Sequence, residues 1–189
     1  MNIFYLHEDP YHCATMHCDK HVVKMVLESA QMLSTAHRIL DGDEFADRNS
    51  LYKAAHVKHP SSIWVRQSDQ NYQWLAHLWV GLGREYSLRY GGKVHKSATL
   101  SGLKTMPVNI PQDAEFLPPP QCMPDEYKQE DTVQAYHDYY CAEKASFARW
   151  HGQSSVPPWF ITKIVNPKPE KIVNPKVKLL WKVRSSECR

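Results

Sequence analysis

The stretch that decides the fold is HCDKHVVKMVLESAQMLSTAHRILDG, residues 17–42. Apolar side chains recur in it at steps of three and four residues, which is the spacing of one face of an α-helix. The members of this apolar stripe are Val23, Val26, Leu27, Ala30, Leu33, Ala36 and Leu40. The pattern predicts one long amphipathic helix from about Tyr11 to Leu40. Asp41-Gly42 supplies the expected end, because glycine readily adopts the left-handed conformation that closes a helix.

Two later stretches have the same helical spacing. One begins at Pro60 and continues to Tyr90, and the other extends from Thr132 to about Trp150. Between them, residues 97–131 are rich in proline and have no clear period, which is typical of a long loop. We therefore expect a mainly α fold, a single domain of three principal helices joined by long proline-rich loops.

The remaining segments are short. The first six residues, MNIFYL, predict a buried strand or an extended lead-in, and a short helix is expected around Leu51–His56. A basic tail follows the third helix, in which the octads KIVNPKPE (163–170) and KIVNPKVK (171–178) form a direct repeat. This repeat is typical of an extended arm or of two short strands.

Charge divides the chain into two parts. Residues 156–189 contain eight Lys/Arg and two Glu, a net of +6, whereas the whole chain carries +3, so residues 1–155 carry −3. We predict a helical core domain over 1–155 and a basic tail over 156–189. A basic end segment is typical of contact with a polyanion such as nucleic acid, or of a solvated tail.

Composition also indicates a compartment. No stretch approaches the roughly 20 apolar residues that a membrane span needs, and MNIFYLHEDPYH lacks the basic start and apolar run of a signal peptide. The five cysteines are odd in number and form no CxxC pair, which favours reduced thiols. We expect a cytoplasmic monomer without membrane partners, in the host cytoplasm if the chain is phage-encoded.

Polar residues of the first predicted helix form a second stripe, because residues three and four apart share a helix face. Its members are His17, His21, Lys24, Glu28, Gln31 and Thr35. One interpretation is a zinc site, since Cys13, His17 and His21 are spaced four apart. The HExxH pattern is absent and no second close ligand pair follows, so we expect neither a metal nor another cofactor.

The other two interpretations of the stripe are catalysis and simple solvation. Lys24 lies one helical turn from both His21 and Glu28. A carboxylate beside a cation can transfer protons or stabilise an oxocarbenium-like centre, and an amine can add to a sugar carbon. The alternative is a solvated face whose ion pairs stabilise the helix by a few tenths of a kcal/mol each.

Two further clusters combine basic and aromatic residues. Arg66 and Asn71 stand beside tryptophans in WVRQSDQNYQW (64–74), and AYHDYYCAEKASFARW (135–150) carries the second cluster. Its members are Tyr139, Tyr140, Lys144, Arg149 and Trp150. Such mixtures suit phosphate contact and base stacking. Helix capping and core packing are the alternative explanation.

The run from His21 to Gly42 resembles the first long helix of the pyrimidine-dimer DNA glycosylases of the endonuclease V type. In that family a helix-borne histidine precedes the catalytic glutamate by seven residues, as His21 precedes Glu28 here. The later order of a histidine-led helix (59–90) and YHDYYCAEK is also similar, so the resemblance covers roughly residues 1–150. MPDEYK (123–128) further resembles proteins common in tailed-phage genomes.

This resemblance implies an amine nucleophile beside Glu28. The family's best-known member uses the α-amine of a threonine that is exposed when the initiator methionine is removed. Position 2 is asparagine here, whose size should leave Met1 in place, so the implied nucleophile is Met1 or Lys24. The family's arginine-rich face for bent DNA is missing, since only Lys20, Lys24 and Arg38 surround Glu28.

We therefore expect a DNA-acting N-glycosylase, with abasic-site lyase activity as an extension, in phage-like repair or modification of damaged or modified duplex DNA. Glu28 would stabilise the sugar cation, and His21 with Arg66 would position a phosphate. Tyr139, Tyr140 and Trp150 would hold an extruded base or its partner. Two alternatives stay open: a non-catalytic binder of nucleic acid or of a nucleotide signal, and a zinc-dependent hydrolase.

Overall fold

The computed structural model describes residues 1–152 and 155–165, which form seven α-helices and no β-strand. The helices are α1 (Pro10–Met16), α2 (Asp19–Leu40), α3 (Asp43–Arg48), α4 (Pro60–Val65), α5 (Asp69–Arg89), α6 (Thr132–Lys144) and α7 (Pro158–Val165). Three 3-10 helices lie at Lys96–Thr99, Ser101–Lys104 and Asp125–Tyr127. The prediction of a mainly α single domain is confirmed, and no helix of the described ranges is long and apolar enough to cross a membrane.

The prediction of a single helix from Tyr11 to Leu40 is wrong, because the helix is interrupted at His17-Cys18. His17 (φ −66°, ψ 135°) and Cys18 (φ −68°, ψ 162°) are extended, which ends α1 and allows α2 to begin at Asp19. The N–H groups at the start of α2 find distant partners: that of Cys18 donates to the Tyr140 hydroxyl at 2.9 Å. Helical spacing alone does not reveal such a break, since the apolar period continues through it.

The other predicted boundaries shift for similar reasons. The second helix is divided into α4 and α5, because Ser68 is extended and its hydroxyl caps α5 at the N–H of Asn71. The third helix ends at Lys144 rather than near Trp150. No helix forms at residues 51–56, and the short helix of this region is α3.

Both ends of the described chain contribute to the core. The lead-in MNIFYL forms neither a strand nor a helix; Ile3 and Leu6 are fully buried, and the Leu6 N–H donates to the Phe4 carbonyl at 3.0 Å. Near the other end, α7 packs on α6, and Phe160 of α7 is buried. The first KIVNPK copy therefore begins in a helix, and the rest of the repeat beyond Val165 lies outside the described residues.

Helix α5 forms the centre of the domain, because both α1 and α2 pack against it. Its buried apolar side chains are Tyr72, Trp74, Leu75, Leu78, Trp79 and Leu82. Helix α2 contributes Val22, Met25, Val26, Ala30, Met32, Leu33 and Ala36, whereas Val23 of the predicted apolar stripe is exposed. At Gly81 a Cβ atom would lie 2.8 Å from the Cβ of Ala14, so only glycine lets α1 approach α5 this closely.

Arg89, in the last turn of α5, holds the end of α1 and the start of α2 together. Its guanidinium donates to the carbonyls of His17 (2.7 Å) and Thr15 (3.0 Å), which an ending helix leaves without intrahelical partners. The same fully buried side chain pairs with Asp19 (3.1 Å) and Glu85 (2.8 Å). Two carboxylates thus compensate the buried cation.

Replacing Arg89 by methionine should destabilise the protein by about 3–5 kcal/mol, because it leaves buried carboxylates without their cation. Urea unfolding followed by circular dichroism measures the free energy of unfolding. The matched control is Arg84→Met on the same helix, where the exposed side chain lies over the Tyr11 ring and should contribute less than about 1 kcal/mol. Equal losses in the two variants would contradict the role given to Arg89.

Candidate active site

The N-terminal residues lie beside Glu28. The N–H of Asn2 donates to Glu28 Oε2 at 3.2 Å, and Lys24 Nζ lies 3.2 Å from Glu28 Oε1. The Glu28 side chain is 12% exposed, whereas that of Lys24 is 64% exposed. The Glu28 carboxylate is therefore half-buried, is paired with Lys24, and is bonded to the residue that follows Met1 in the chain.

Three distant segments hold the first two residues in place. The Asn2 side chain donates from Nδ2 to the carbonyl of Cys122 (3.0 Å) and accepts at Oδ1 from the Tyr136 hydroxyl (2.7 Å). The Ser62 hydroxyl of α4 donates to the sulfur of Met1 at 3.6 Å. The start of the chain is thus fixed by α4, by α6 and by the loop before α6.

His59 is a site residue that the sequence analysis missed. It caps α4, since its Nδ1 accepts from the N–H of Ser61 at 3.2 Å, so its Nε2 carries the proton of the neutral ring. Burial lowers the pKa of His59, the positive Met1 amine and His56 lower it further, and Glu28 opposes them. The sequence signal was the histidine before Pro60-Ser61, which also fits an ordinary helix start. We call Met1, Asn2, Lys24, Glu28 and His59 the Met1–Glu28 site.

His21 is a buried structural residue. Its ring stacks on Phe4 at 4.3 Å, and its Nδ1 lies 2.8 Å from the Tyr140 hydroxyl, which also accepts from the N–H of Cys18. Burial, followed by the charges of His17, Lys144 and Lys24, lowers the pKa of His21 to about 3. The ring is neutral at pH 7, so it brings no positive charge to a phosphate.

The three residues considered for zinc do not converge. Cys13 Sγ donates to the carbonyl of Phe4 at 3.2 Å, and His17 Nδ1 donates to the carbonyl of Cys13 at 2.8 Å. His21 is turned to Tyr140, and the break at Cys18 removes the shared helix face. Within residues 1–152 and 155–165, no three His, Cys, Asp or Glu side chains lie close enough together to hold a metal ion.

Two of the predicted nucleic-acid contacts lie together near the site. Lys144 Nζ lies 3.2 Å from the Tyr139 hydroxyl and 4.6 Å from its ring centroid, and the Tyr139 ring is nearly parallel to that of Phe4. Beside them, Lys20 Nζ lies 4.9 Å from the ring centroid of Phe147, which contacts His21. We call Lys20, Lys24, Tyr139, Lys144 and Phe147 the basic–aromatic face.

Three other side chains predicted to contact nucleic acid donate instead to backbone carbonyls of the protein. Arg66 donates to the carbonyls of Ser62 (3.0 Å) and Val57 (2.9 Å), and buried Asn71 donates to that of Trp64 (2.9 Å). Trp150 donates to the carbonyl of Met16 at 3.1 Å.

The two remaining predicted contacts differ in exposure. Tyr140 is fully buried, whereas Arg149 is exposed and donates to the carbonyl of Ala148, its own neighbour in the chain. Its carbonyl accepts from Asp19, at the start of α2.

The chain matches no protein-family model, and no curated protein and no solved structure is detectably similar to it. The function of the Met1–Glu28 site is therefore argued from its own geometry. That geometry combines one half-buried carboxylate, the amine of Lys24, the bonded backbone N–H of Asn2 and a neutral histidine.

The buried histidines should make the protein unstable in acid. The pKa values of His17 and His137 are lowered to about 4 and that of His21 to about 3, in each case mainly by burial. Because the ordinary value is about 6.5, the unfolded chain binds protons that the folded one does not, so stability falls as the pH drops below this value.

Three such groups imply a slope of about 4 kcal/mol per pH unit between about pH 6 and 5. Urea unfolding at a series of pH values measures this slope. Titration of the histidine ring signals by NMR provides the control. A His21 signal that titrates near pH 6.5 would contradict its assignment as a buried neutral ring.

Proposed function

We propose that this protein is a DNA N-glycosylase with abasic-site lyase activity, and that an amine beside Glu28 is its nucleophile. The observation that carries the proposal is the 3.2 Å hydrogen bond from the Asn2 N–H to Glu28, because it holds the residue next to the Met1 α-amine on a half-buried carboxylate. Lys24, 3.2 Å from the same carboxylate, is the second candidate amine.

The reaction requires an amine and a carboxylate at one sugar. The amine lone pair forms a bond to C1′ while the bond from C1′ to the base breaks, and the base leaves with that electron pair and takes up a proton. Glu28 stabilises the developing positive charge on the sugar and accepts the proton that the attacking nitrogen loses. Opening of the sugar ring, with a proton delivered to its oxygen, gives a Schiff base.

The lyase step follows from that Schiff base. Removal of a proton from C2′ forms a double bond between C1′ and C2′ and places the imine electron pair on nitrogen. Return of that pair restores the C=N bond, forms a double bond between C2′ and C3′ and expels the 3′ phosphate with the electrons of its bond to C3′. Water then hydrolyses the imine and restores the amine. A single carboxylate can carry protons in both steps, since each step returns it to its starting state. Glu28 is suited to this because its Oε1 lies beside the Lys24 amine and its Oε2 accepts from the N–H of Asn2, the residue that follows Met1.

The basic–aromatic face supports DNA as the substrate. Lys20, Lys24 and Lys144 provide positive charge for phosphates, and Tyr139 and Phe147 provide ring surfaces for an unstacked base. The face adjoins the Met1–Glu28 site, because Lys24 pairs with Glu28 and lies one turn of α2 from Lys20. In this proposal His21 is a positioning residue that fixes Phe4 and Tyr140, rather than a phosphate contact.

Borohydride trapping tests the proposed nucleophile. The protein is incubated with UV-irradiated or abasic duplex DNA and borohydride, and we expect a covalent protein–DNA adduct on a denaturing gel. Peptide mapping of the adduct should place the DNA on Met1 or Lys24. An adduct on Lys128, an exposed lysine that pairs with Asp125, would remove the assignment to this site. No adduct and no strand cleavage on any substrate would end the proposal.

Glu28→Gln separates an enzyme from a binding protein. We expect strand cleavage to slow by about 10²- to 10⁴-fold, the usual contribution of a group that transfers protons, while duplex binding changes less than about twofold. Cleavage is measured under single-turnover conditions, and binding is measured by fluorescence anisotropy. Glu130→Gln, at an exposed position, is the matched control and should leave both unchanged. A wild-type protein that binds DNA without turnover would favour the non-catalytic alternative.

A further inference from the structure

A second site lies at the other end of α2. A cavity of about 320 Å³ opens there between the last turn of α2, helix α3 and the loop at 105–109. The residues that carry the argument are His37, Asp41, Phe45, Met106 and Val108. His37 is nine residues beyond Glu28, about 14 Å along the helix axis, so this cavity is separate from the Met1–Glu28 site.

The buried histidine of this cavity has an unused acceptor. His37 is 1% exposed, and its Nε2 lies 3.0 Å from the carbonyl of Thr105, which can only accept, so Nε2 carries the proton. Burial lowers the pKa of His37 against the opposing effects of Thr105 and Asp41, so the ring is neutral near pH 7. Nδ1 then presents a lone pair, and it has no hydrogen-bond partner among the described residues. Buried acceptors in proteins are normally paired with a hydrogen-bond donor, so this nitrogen is suited to bind one from a ligand.

Asp41 supplies a negative charge beside that acceptor. Its Oδ2 lies 4.0 Å from His37 Nδ1, too far for a direct hydrogen bond. The carboxylate accepts from the N–H groups of Val108 (2.7 Å) and Asn109 (2.9 Å), which fix its position. Within the part of the chain that the structure describes, it forms no ion pair with a lysine or an arginine. The cavity therefore offers two acceptors and one uncompensated negative charge.

The spacing of these acceptors selects the ligand. His37 Nδ1 and Asp41 Oδ2 are 4.0 Å apart. The two directions from a nitrogen that lies about 2.9 Å from each acceptor therefore form an angle of about 90°. An ammonium group has diverging hydrogens that suit such an angle, and it brings the positive charge that Asp41 lacks. Beside the acceptors, the ring of Phe45 stacks on His37, and Met106 and Val108 add exposed apolar surface. This surface suits the stem of an amphipathic cation.

We propose that this cavity binds a small primary alkylammonium ion. The ammonium group donates to His37 Nδ1 and Asp41 Oδ2, and the alkyl stem lies against Phe45, Met106 and Val108. The site uses none of the residues of the Met1–Glu28 site, so it does not depend on the glycosylase proposal.

Titration with n-butylammonium tests the site directly, in the full-length protein. Calorimetry should give saturable binding with one ion per chain, and the ¹⁵N signal of His37 Nδ1 should shift in step with it. The control ligand is n-butyltrimethylammonium, which keeps the charge and the stem but has no N–H donor, and it should bind at least about tenfold more weakly. Equal binding of the two ligands would overturn the proposal. Failure of n-butylammonium to bind would overturn it too, and would leave water as the partner of both acceptors.

Two charges at the rim of the cavity provide matched variants. Glu44 and Arg48 pair at 3.6 Å and are 85% and 69% exposed, so replacing them leaves the core intact. Glu44→Gln should weaken n-butylammonium binding about twofold to threefold, and Arg48→Gln should strengthen it by a similar factor. Asp41→Asn should abolish binding, with folding checked by circular dichroism because Asp41 also holds Val108 and Asn109. Unchanged affinity in both rim variants, or a change of the same sign in both, would exclude an ammonium site here.

Discussion

The buried guanidinium of Arg89 is the constraint on which the arrangement of the helices depends. It satisfies the carbonyls of Thr15 and His17, and it is neutralised by Asp19 and Glu85. The chain can therefore leave α1, turn through two extended residues and begin α2 without leaving these two carbonyls unpaired. In an uninterrupted helix Pro10 would lie about 27 Å along the axis from Glu28. The break instead lets α1 fold onto α5 beside α2, with the lead-in buried.

The Met1–Glu28 site is a product of long-range contacts. Asn2 reaches Glu28 across 26 residues, Met1 reaches Ser62 across 61, and the Asn2 side chain reaches Cys122 across 120. A site built in this way exists only in the folded chain, since loop closure over such separations opposes each contact. The cavity at His37 and Asp41 is more local, because one turn of α2 supplies both acceptors and the 105–109 loop only closes over them.

The sequence predicts the features that depend on residues close together in the chain, and it does not predict those that depend on distant residues. The helical content and the Lys24–Glu28 pair depend on neighbours three or four residues apart, so the apolar period and the i,i+4 spacing were sufficient. The break at His17-Cys18 depends on Arg89 and Tyr140, which no local pattern contains. His21 belonged to a polar stripe in the sequence, and its burial under Phe4 arises from tertiary packing. His59 was missed because the sequence does not reveal that α4 begins beside the first residue.

The cap at the start of α4 links the charge of one ring to the position of the first residue. Ser61 donates to His59 Nδ1, so a proton on that nitrogen removes the acceptor on which the first turn of α4 depends. Ser62, the next residue, is the one that bonds to the sulfur of Met1. An anion that stabilises imidazolium would thus loosen the helix start and, with it, the anchor of the N-terminus. The protonation of His59 and the freedom of the terminal amine are in this way coupled through the first turn of α4.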